Sequence, residues 1–415
     1  MQTIKFFLVG GAVRDRLLGL AVKDRDWVVT GATPENLLNL GFKPVGQDFP
    51  VFLHPDTHEE YALARTERKT AHGYHGFQFY TEPSVSLAED LGRRDLTINA
   101  LAEDENGQVI DYYSGRQDLV ARILRHVSPA FAEDPVRILR IARFYARYYP
   151  LGFQIAPDTL NLMQTMVNNG EVDALVPERV WQETVKALAE PAPEQFFAVL
   201  KQCGALARLF PELDRLYGVP QRPEAHPEID TAVHTYKVLQ QACQLTHDVA
   251  LRFAALLHDI GKGTTPHAQL PSHTGHELRS FELVKQVSER LKVPSRFREL
   301  AEQMALQHGQ IHKLSQLEPE QILQVLESSD AFRKPERFQQ VLLVCEADSR
   351  GRLGFENTAY PQREQWLRYL QVTQAVDVQH IIATGAKGLA IRQGLQTERI
   401  AAIKQLKLAL DIQRI

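Results

Sequence analysis

IKFFLVGGAVRDRLLGLAVKDRDWVVT (4–30) decides how the first third of the chain is read. An apolar run, Ile4 to Val9, stops at Gly10-Gly11, which predicts a strand ending in a tight turn. Residues 12–20 carry helical spacing, and DWVVT (26–30) predicts a second strand. Asp24 and Asp26 flank Arg25 at its head. Side chains two apart on a strand share a face, so both carboxylates are expected to converge on one point. Oxygen ligands so placed can hold one or two magnesium ions. Upstream, Gly10-Gly11 leaves backbone amides open to a triphosphate, and Arg14 lies one turn into the next helix. Metal clamps, held phosphates and an in-line nucleophile are what phosphoryl transfer requires. Asp-x-Asp alone is more often a solvated pair at a strand start, so the weight falls on its surroundings.

Working outward, Thr33-Pro34 caps a predicted helix near 34–40, and EYALA (60–64) predicts another strand. Strands and helices alternate to about residue 125. From about 133 the periodicity is helical and stays so. A helix starting near Glu133 places Ile138, Ile141 and Phe144 on one side and spaces Arg137, Arg140, Arg143 and Arg147 by three or four. Between 116 and 148 seven arginines stand against Asp118, Glu133 and Asp134, a local basic excess where an RNA end could sit. No G-x-x-x-x-G-K-[ST] string occurs, which excludes a P-loop enzyme. The Pro-rich stretches Glu190–Pro193 and Gly218–Pro227 read as linkers, the second as the better domain boundary.

The composition agrees with several globular domains. The 415 residues carry 47 basic and 51 acidic side chains, a net charge of −4, so nucleic acid would have to be met by a local patch. Three scattered cysteines, Cys203, Cys243 and Cys345, argue against a disulfide framework and for a reducing cytoplasm. Neither a signal peptide nor a membrane span is expected.

Four strings in order, LVGGAVRD (8–15), DRDWVV (24–29), RRDLTINA (93–100) and EDPVRILRIARF (133–144), resemble the class II tRNA nucleotidyltransferases, the CCA-adding enzymes, over roughly residues 1–210. The resemblance implies a multidomain α+β protein. A polymerase β-like head with a mixed sheet (1–130) would precede an all-α neck (131–220), an HD domain (228–335) and a helical tail (336–415). It implies that Asp24 and Asp26 bind Mg2+ and activate the RNA 3′-hydroxyl for attack on the α-phosphate of CTP or ATP. A third carboxylate is usual there; Glu60 is the candidate and Glu59 its rival. Gly11, Arg14 and Arg94 would hold phosphates or sugar, and Arg140 and Arg143 would reach the triphosphate. Asp134 and Arg137, three apart, would be neighbours on one helix face. A carboxylate accepts where a guanidinium only donates. Cytosine and adenine each pair an exocyclic amino donor with a ring-nitrogen acceptor, whereas uracil and guanine reverse that pattern. The Asp134–Arg137 pair could therefore select C and A without a nucleic-acid template.

The second half carries HTYKVL (234–239), FAALLHDIGKG (253–263), HTGHE (273–277), LQHG (306–309) and EADSRG (346–351). Adjacent His258 and Asp259, at a helix end before Gly261, can both meet a metal on one flank, and His234, His276, His308 and Asp348 could complete the shell. Histidine plus carboxylate suits a borderline divalent ion doing hydrolysis. Lys262 reads either as a phosphate or general-acid partner or as an ordinary helix-end residue. Over roughly 225–350 these strings resemble the HD phosphohydrolases. That implies Ni2+ or another divalent ion, and phosphatase, 2′-nucleotidase and 2′,3′-cyclic phosphodiesterase activities. Gly309 stands where a second acidic ligand is expected after His308.

The expected partners are tRNA, ATP and CTP, with no protein partner indicated and a monomer or homodimer. Alternatives are a poly(A) polymerase, which shares the head motifs, and an HD phosphohydrolase whose N-terminal domain only binds nucleotides.

Overall fold

A computed structural model describes residues 3–45, 51–69 and 77–412. The chain forms two compact units, one up to Leu209 and one from Phe210.

The first unit begins with the strand–turn–helix–strand expected from its sequence. β1 (Lys5–Val9) ends at Gly10, whose φ of 68° is one that glycine adopts without strain. Helix Gly11–Leu17 follows, and then β2 (Asp26–Thr30). β3 (Lys43–Val45), β4 (Val51–Leu53) and β5 (Glu60–Leu63) extend one side of the sheet. A separate ribbon pairs β6 (Thr66–Lys69) with β7 (Phe77–Tyr80). β8 (Leu101–Glu103) and β9 (Val109–Asp111) complete a seven-stranded sheet in the order β3-β4-β5-β2-β1-β8-β9. It is mixed, since β2 and β5 run parallel while the other neighbours are antiparallel.

Alternation along the strands divides the core between the two faces. Phe7, Val9 and Val28 pack with Leu87, Leu91 and Ala102 on one; Val29, Phe52, Tyr61 and Leu63 pack with Leu37 and Phe42 on the other. Each such side chain, fully buried, contributes roughly 1.5–3 kcal/mol. Helix Leu87–Gly92 covers the first face and helix Pro34–Asn39 the second. Thr33 caps the latter with a reciprocal Asn36 bond, as Thr33-Pro34 predicts.

Helices Val136–Tyr148, Pro157–Asn168, Pro177–Leu188 and Glu194–Cys203 follow, and the first packs on the third and fourth. Ile138, Ile141 and Phe144 are buried, as their spacing predicts. The neck is not purely helical, because Gln154–Ile155 pairs in parallel with Ile123–Leu124.

The second unit is helical. Helices Thr231–Leu245, Val249–Leu257, His276–Arg290, Ser295–His312 and Pro335–Arg350 pack together, with Ser295–His312 touching three of the others. Beyond them, helix Leu389–Ile412 packs on Pro319–Ser328 and Gln362–Gln374. A short helix, Val378–Ala383, precedes it. Among the described residues, no helix is long and apolar enough to cross a membrane.

Candidate active site

A cavity of about 720 Å3 opens in the first unit and gathers most of the residues singled out in its sequence. Gly10, Gly11, Arg14, Asp24, Asp26, Arg94, Asp134, Arg137, Arg140 and Arg143 all line it. Asp24 and Asp26 reach it differently from expectation: β2 begins at Asp26, so Asp24 belongs to the preceding loop and strand geometry does not align the pair. Enclosure raises the Asp26 carboxyl above its ordinary range; Arg94 opposes that and Asp24 adds to it.

Glu60 is the register partner of Asp26 on the parallel strand β5, so the two share a sheet face, although Glu60 is not among the cavity's lining residues. Its rival is otherwise engaged. Glu59 accepts the Trp27 indole N–H at 2.8 Å and lies 3.5 Å from Arg25.

Gly10 lets Arg94 come close, since a methyl there would stand 2.7 Å from Arg94 Nη1. Arg14 is buried between the Phe144 and Tyr148 rings and bonds Asp15 at 2.8 Å and Asn99. Arg94 lies 3.4 Å from both the Asn99 carbonyl and Asp90.

The expected Asp–Arg helix face is not formed as such. The helix starts at Val136, not near Glu133, and Asp134 is extended ahead of it. Pro135 accounts for this, because the residue before a proline is pushed out of helical geometry. Asp134 instead accepts the Val136 N–H at 3.1 Å and takes a two-pronged pair from Arg179, at 3.2 and 2.9 Å. Arg137 donates to the Ala130 carbonyl at 2.8 Å. Arg140 and Arg143 also depart from expectation: each faces the cavity already paired, Arg140 with Asp95 at 2.7 Å and Arg143 with Glu183 at 2.7 Å. Burial alone would raise Asp95, but Arg140, Asn99 and Arg137 hold it well below the usual carboxylate range. Arg179 went unnoticed in the sequence because its partner lies 45 residues upstream.

A second cavity, of about 410 Å3, lies in the second unit and is lined by Asp259, Lys262, His276, His308 and Asp348, among others. His258 and Asp259 follow the end of helix Val249–Leu257, as expected. Gly261 is obligatory in the turn beyond, since a methyl there would collide with His276 O and Ser280 N.

Three groups among the described residues could hold an ion: His234, His258 and Asp348; Asp259, His276 and His308; and His226, Glu228 and His234. Nδ1 of His258 bonds the Ala255 carbonyl at 2.7 Å, Nδ1 of His276 the His273 carbonyl at 2.9 Å, and Nδ1 of His308 the Met304 carbonyl at 3.0 Å. A carbonyl only accepts, so these Nδ1 atoms carry protons and each Nε2 is the atom turned toward the cluster. His276 and His308 Nε2 stand 3.2 Å apart, and Asp259 Oδ1 is 3.1 and 3.4 Å from them. His258 Nε2 and Asp259 Oδ1 are buried without a hydrogen bond. Burial opposes charge on His258, yet Asp259 and Asp348 push it up to about 10, and both carboxyls stay well below their usual range. Converging lone pairs and a buried demand for positive charge fit a divalent cation.

An acidic side chain does stand over the gap after His308, although it joins none of these ligand groups. Glu277 reaches over Gly309, its Oε1 only 2.7 Å from where a Cβ would stand. Sequence reasoning also missed His312, one turn past His308, which bonds Asp348 at 2.8 Å and Tyr360 at 2.9 Å. Lys262 is no mere helix-end residue: its ammonium lies 2.6 Å from both Asp259 and Gln221.

A head with two aspartates in an arginine-rich cavity, in one chain with a cluster of histidines and aspartates able to hold a metal, defines a nucleotidyltransferase fused to an HD domain. The family described as "Poly A polymerase head domain" matches residues 6–125, "Probable RNA and SrmB- binding site of polymerase A" 152–217, and "HD domain" 231–349. The multifunctional CCA protein of Thioalkalivibrio sulfidiphilus is 59% identical over 97% of this chain and 99% of its own. That of Methylococcus capsulatus is 56% identical over 98% and 96%. The chain belongs to the multifunctional CCA proteins, CCA-adding tRNA nucleotidyltransferases that carry an HD domain. The fold is also that of solved CCA-adding enzymes: one from Bacillus stearothermophilus in complex with CTP is 24% identical with a TM-score of 0.61, covering 97% of this chain and 89% of that one. Another, in complex with ATP, is 19% identical with a TM-score of 0.65, covering 96% and 86%.

Proposed function

We propose that this chain adds CCA to tRNA 3′ ends in the head cavity, from CTP and ATP, with Asp24 and Asp26 holding Mg2+ and Glu60 as third carboxylate. Bound there, the metal offsets charge on the α-phosphate and on the attacking 3′-oxygen. The remaining work belongs to the protein's own groups. Gly11 and its helix N-terminus receive phosphate, while Arg14 and Arg94 hold phosphate or sugar. The 3′-hydroxyl, activated at Asp24 and Asp26, attacks the α-phosphate, and pyrophosphate leaves as the new bond forms. Asp134 accepts from the exocyclic amine of C or A, and Arg137 donates to the ring nitrogen. Arg140 and Arg143 reach the triphosphate by exchanging Asp95 and Glu183 for it.

The observation that carries this reading is the meeting of Asp24, Asp26, the Gly-Gly turn, Asp134 and Arg137 in one cavity. The test is extension of tRNA lacking CCA, with Mg2+ and each triphosphate alone and in pairs. We expect two additions from CTP, a third only with ATP, and none from UTP or GTP. Long adenosine tails from ATP alone would make it a poly(A) polymerase.

The HD cluster hydrolyses phosphomonoesters and 2′,3′-cyclic phosphodiesters, with Ni2+ or another borderline ion held by His234, His258, Asp259, His276, His308 and Asp348. Such an ion supplies a nucleophilic water and a clamp for phosphate oxygens. Lys262 steadies Asp259 and faces the incoming phosphate. We assign the head to 1–130, the neck to 131–220, the HD domain to 228–335 and the tail to 336–415. The protein works on tRNA in the reducing cytoplasm, in keeping with its three free cysteines.

A further inference from the structure

Four histidines of the HD cluster point their Nε2 atoms inward, but they are not held alike. Three are fixed from behind by main-chain carbonyls. His234 is the exception. The carbonyl one turn back, Thr231 O, is already taken by the Thr235 hydroxyl at 2.9 Å. His234 Nδ1, buried without a hydrogen bond, stands instead in a 2.8 Å charge contact with Glu228 Oε1, while its Nε2 is 3.0 Å from Asp348 Oδ1.

Glu228 is built into place. Its side chain is 1% exposed. Oε1 also lies 3.2 Å from His226 Nδ1, and Oε2 accepts the Leu353 N–H at 3.1 Å. Leu353 follows helix Pro335–Arg350, which carries Asp348, so one carboxylate ties together the segments that bring His234 and Asp348 to the cluster.

The backbone beside it is strained. Ile229 has a φ of 62°, a region that β-branched residues avoid, and its side chain is 46% exposed, so the strain gains no burial. Neighbouring bonds hold it there. Gln221 N–H donates to Ile229 O at 2.8 Å, Thr231 N–H to Val219 O at 3.0 Å, and Gly218 N–H to Asp230 Oδ2 at 2.6 Å. Asp230 Oδ1 also caps helix Thr231–Leu245 through Val233 N–H at 3.0 Å. Strain held by several independent bonds marks a position the fold needs.

We infer that Glu228 is a positioning residue of the HD centre, and the inference rests on the hydrolase reading above. Its buried charge against the Nδ1 edge of His234 favours the proton on that nitrogen, limits the ring's placement and makes Nε2 a stronger donor toward a divalent ion. A carboxylate behind a metal-binding histidine does this in many metal sites, and its loss there weakens metal binding about 10- to 100-fold.

The test uses the full chain, Glu228→Ala and Glu228→Gln. Ni2+ affinity is measured by equilibrium dialysis and the ligand field by the visible spectrum of the Co2+-loaded protein. CCA addition by the same preparations reports folding. We expect Glu228→Ala to lose about 10- to 100-fold in Ni2+ affinity, with a changed Co2+ spectrum and CCA addition at the wild-type rate. Glu228→Gln, which can still accept an N–H without the charge, should fall between. Wild-type affinity and spectrum in both variants would overturn the inference while leaving the hydrolase reading standing. If Glu228→Ala fails to fold, Glu228→Gln decides by the same two readouts. A wild-type chain that binds neither ion would overturn the hydrolase reading and this inference together.

Discussion

Arg179 sets the direction of the Asp134 carboxylate with two parallel bonds, and that carboxylate is the acceptor we propose for the incoming base. Arg179→Ala should leave Asp134 free to rotate and lower the preference for CTP over UTP roughly 10- to 100-fold, the value of one or two oriented charged hydrogen bonds. Competing CTP and UTP incorporation on tRNA lacking CCA measures it; an unchanged ratio removes Arg179 from base selection. Gly309 makes the matching argument in the HD cavity. Its missing side chain is what lets Glu277 stand beside His308. Gly309→Ala should push Glu277 aside and reduce phosphatase turnover several-fold while CCA addition holds. Full phosphatase activity in that variant would mean that Glu277 is a bystander.

Helix Val136–Tyr148 is the element on which the head site depends, and ion pairs fasten it along its length. Arg140 meets Asp95, while Arg147 and Tyr148 both reach Asp15, each at 3.1 Å. Asp95 gives this a pH signature. Its folded-state pKa is depressed below the ordinary 3.8, so the pairing contributes stability above about pH 4 and loses it as pH falls below that. Wild-type chain should therefore lose unfolding free energy between about pH 4 and pH 2, and Asp95→Asn should show a shallower acid slope from a lower plateau. Chemical denaturation across that range reads both; parallel slopes would show that the pair carries no linkage. The helix was legible because Ile138, Ile141 and Phe144 recur at its period. Its start was misplaced because Pro135 governs Asp134 only through local backbone sterics, which periodicity does not register. Long-range partners such as Glu183 for Arg143, or Glu277 for the gap at Gly309, leave no mark in a single sequence. The Asp24–Asp26 spacing was read for a good reason but gave the wrong geometry: the loop, not the pleat, delivers Asp24.

At the scale of the whole chain, the two chemistries rest on separate residues and on donor atoms of different kinds. The head offers carboxylate oxygens, and the HD cluster mainly imidazole nitrogens. A chelator should silence both activities. Mg2+ alone should then restore CCA addition but not phosphatase, which should need Ni2+, Co2+ or a similar ion. Assaying both reactions in each re-metallated sample checks this, and full phosphatase recovery with Mg2+ would contradict the imidazole assignment. Likewise, Asp26→Asn should cut CCA addition by at least about 100-fold, in line with several kcal/mol of metal-borne charge stabilisation, and spare phosphate release. His258→Ala should do the reverse.

The fastening of helix Val136–Tyr148 carries a mechanical consequence. Through Arg147 and Tyr148, Asp15 binds it to the same head that presents Asp24 and Asp26, a tie that outlasts any exchange of Asp95, so the base reader and metal carboxylates we propose share one jig. A jig of fixed span accepts each incoming nucleotide at the same place. On the proposed roles, the growing RNA terminus and not the protein would have to give way after every bond is made, withdrawing by one nucleotide before the next can enter.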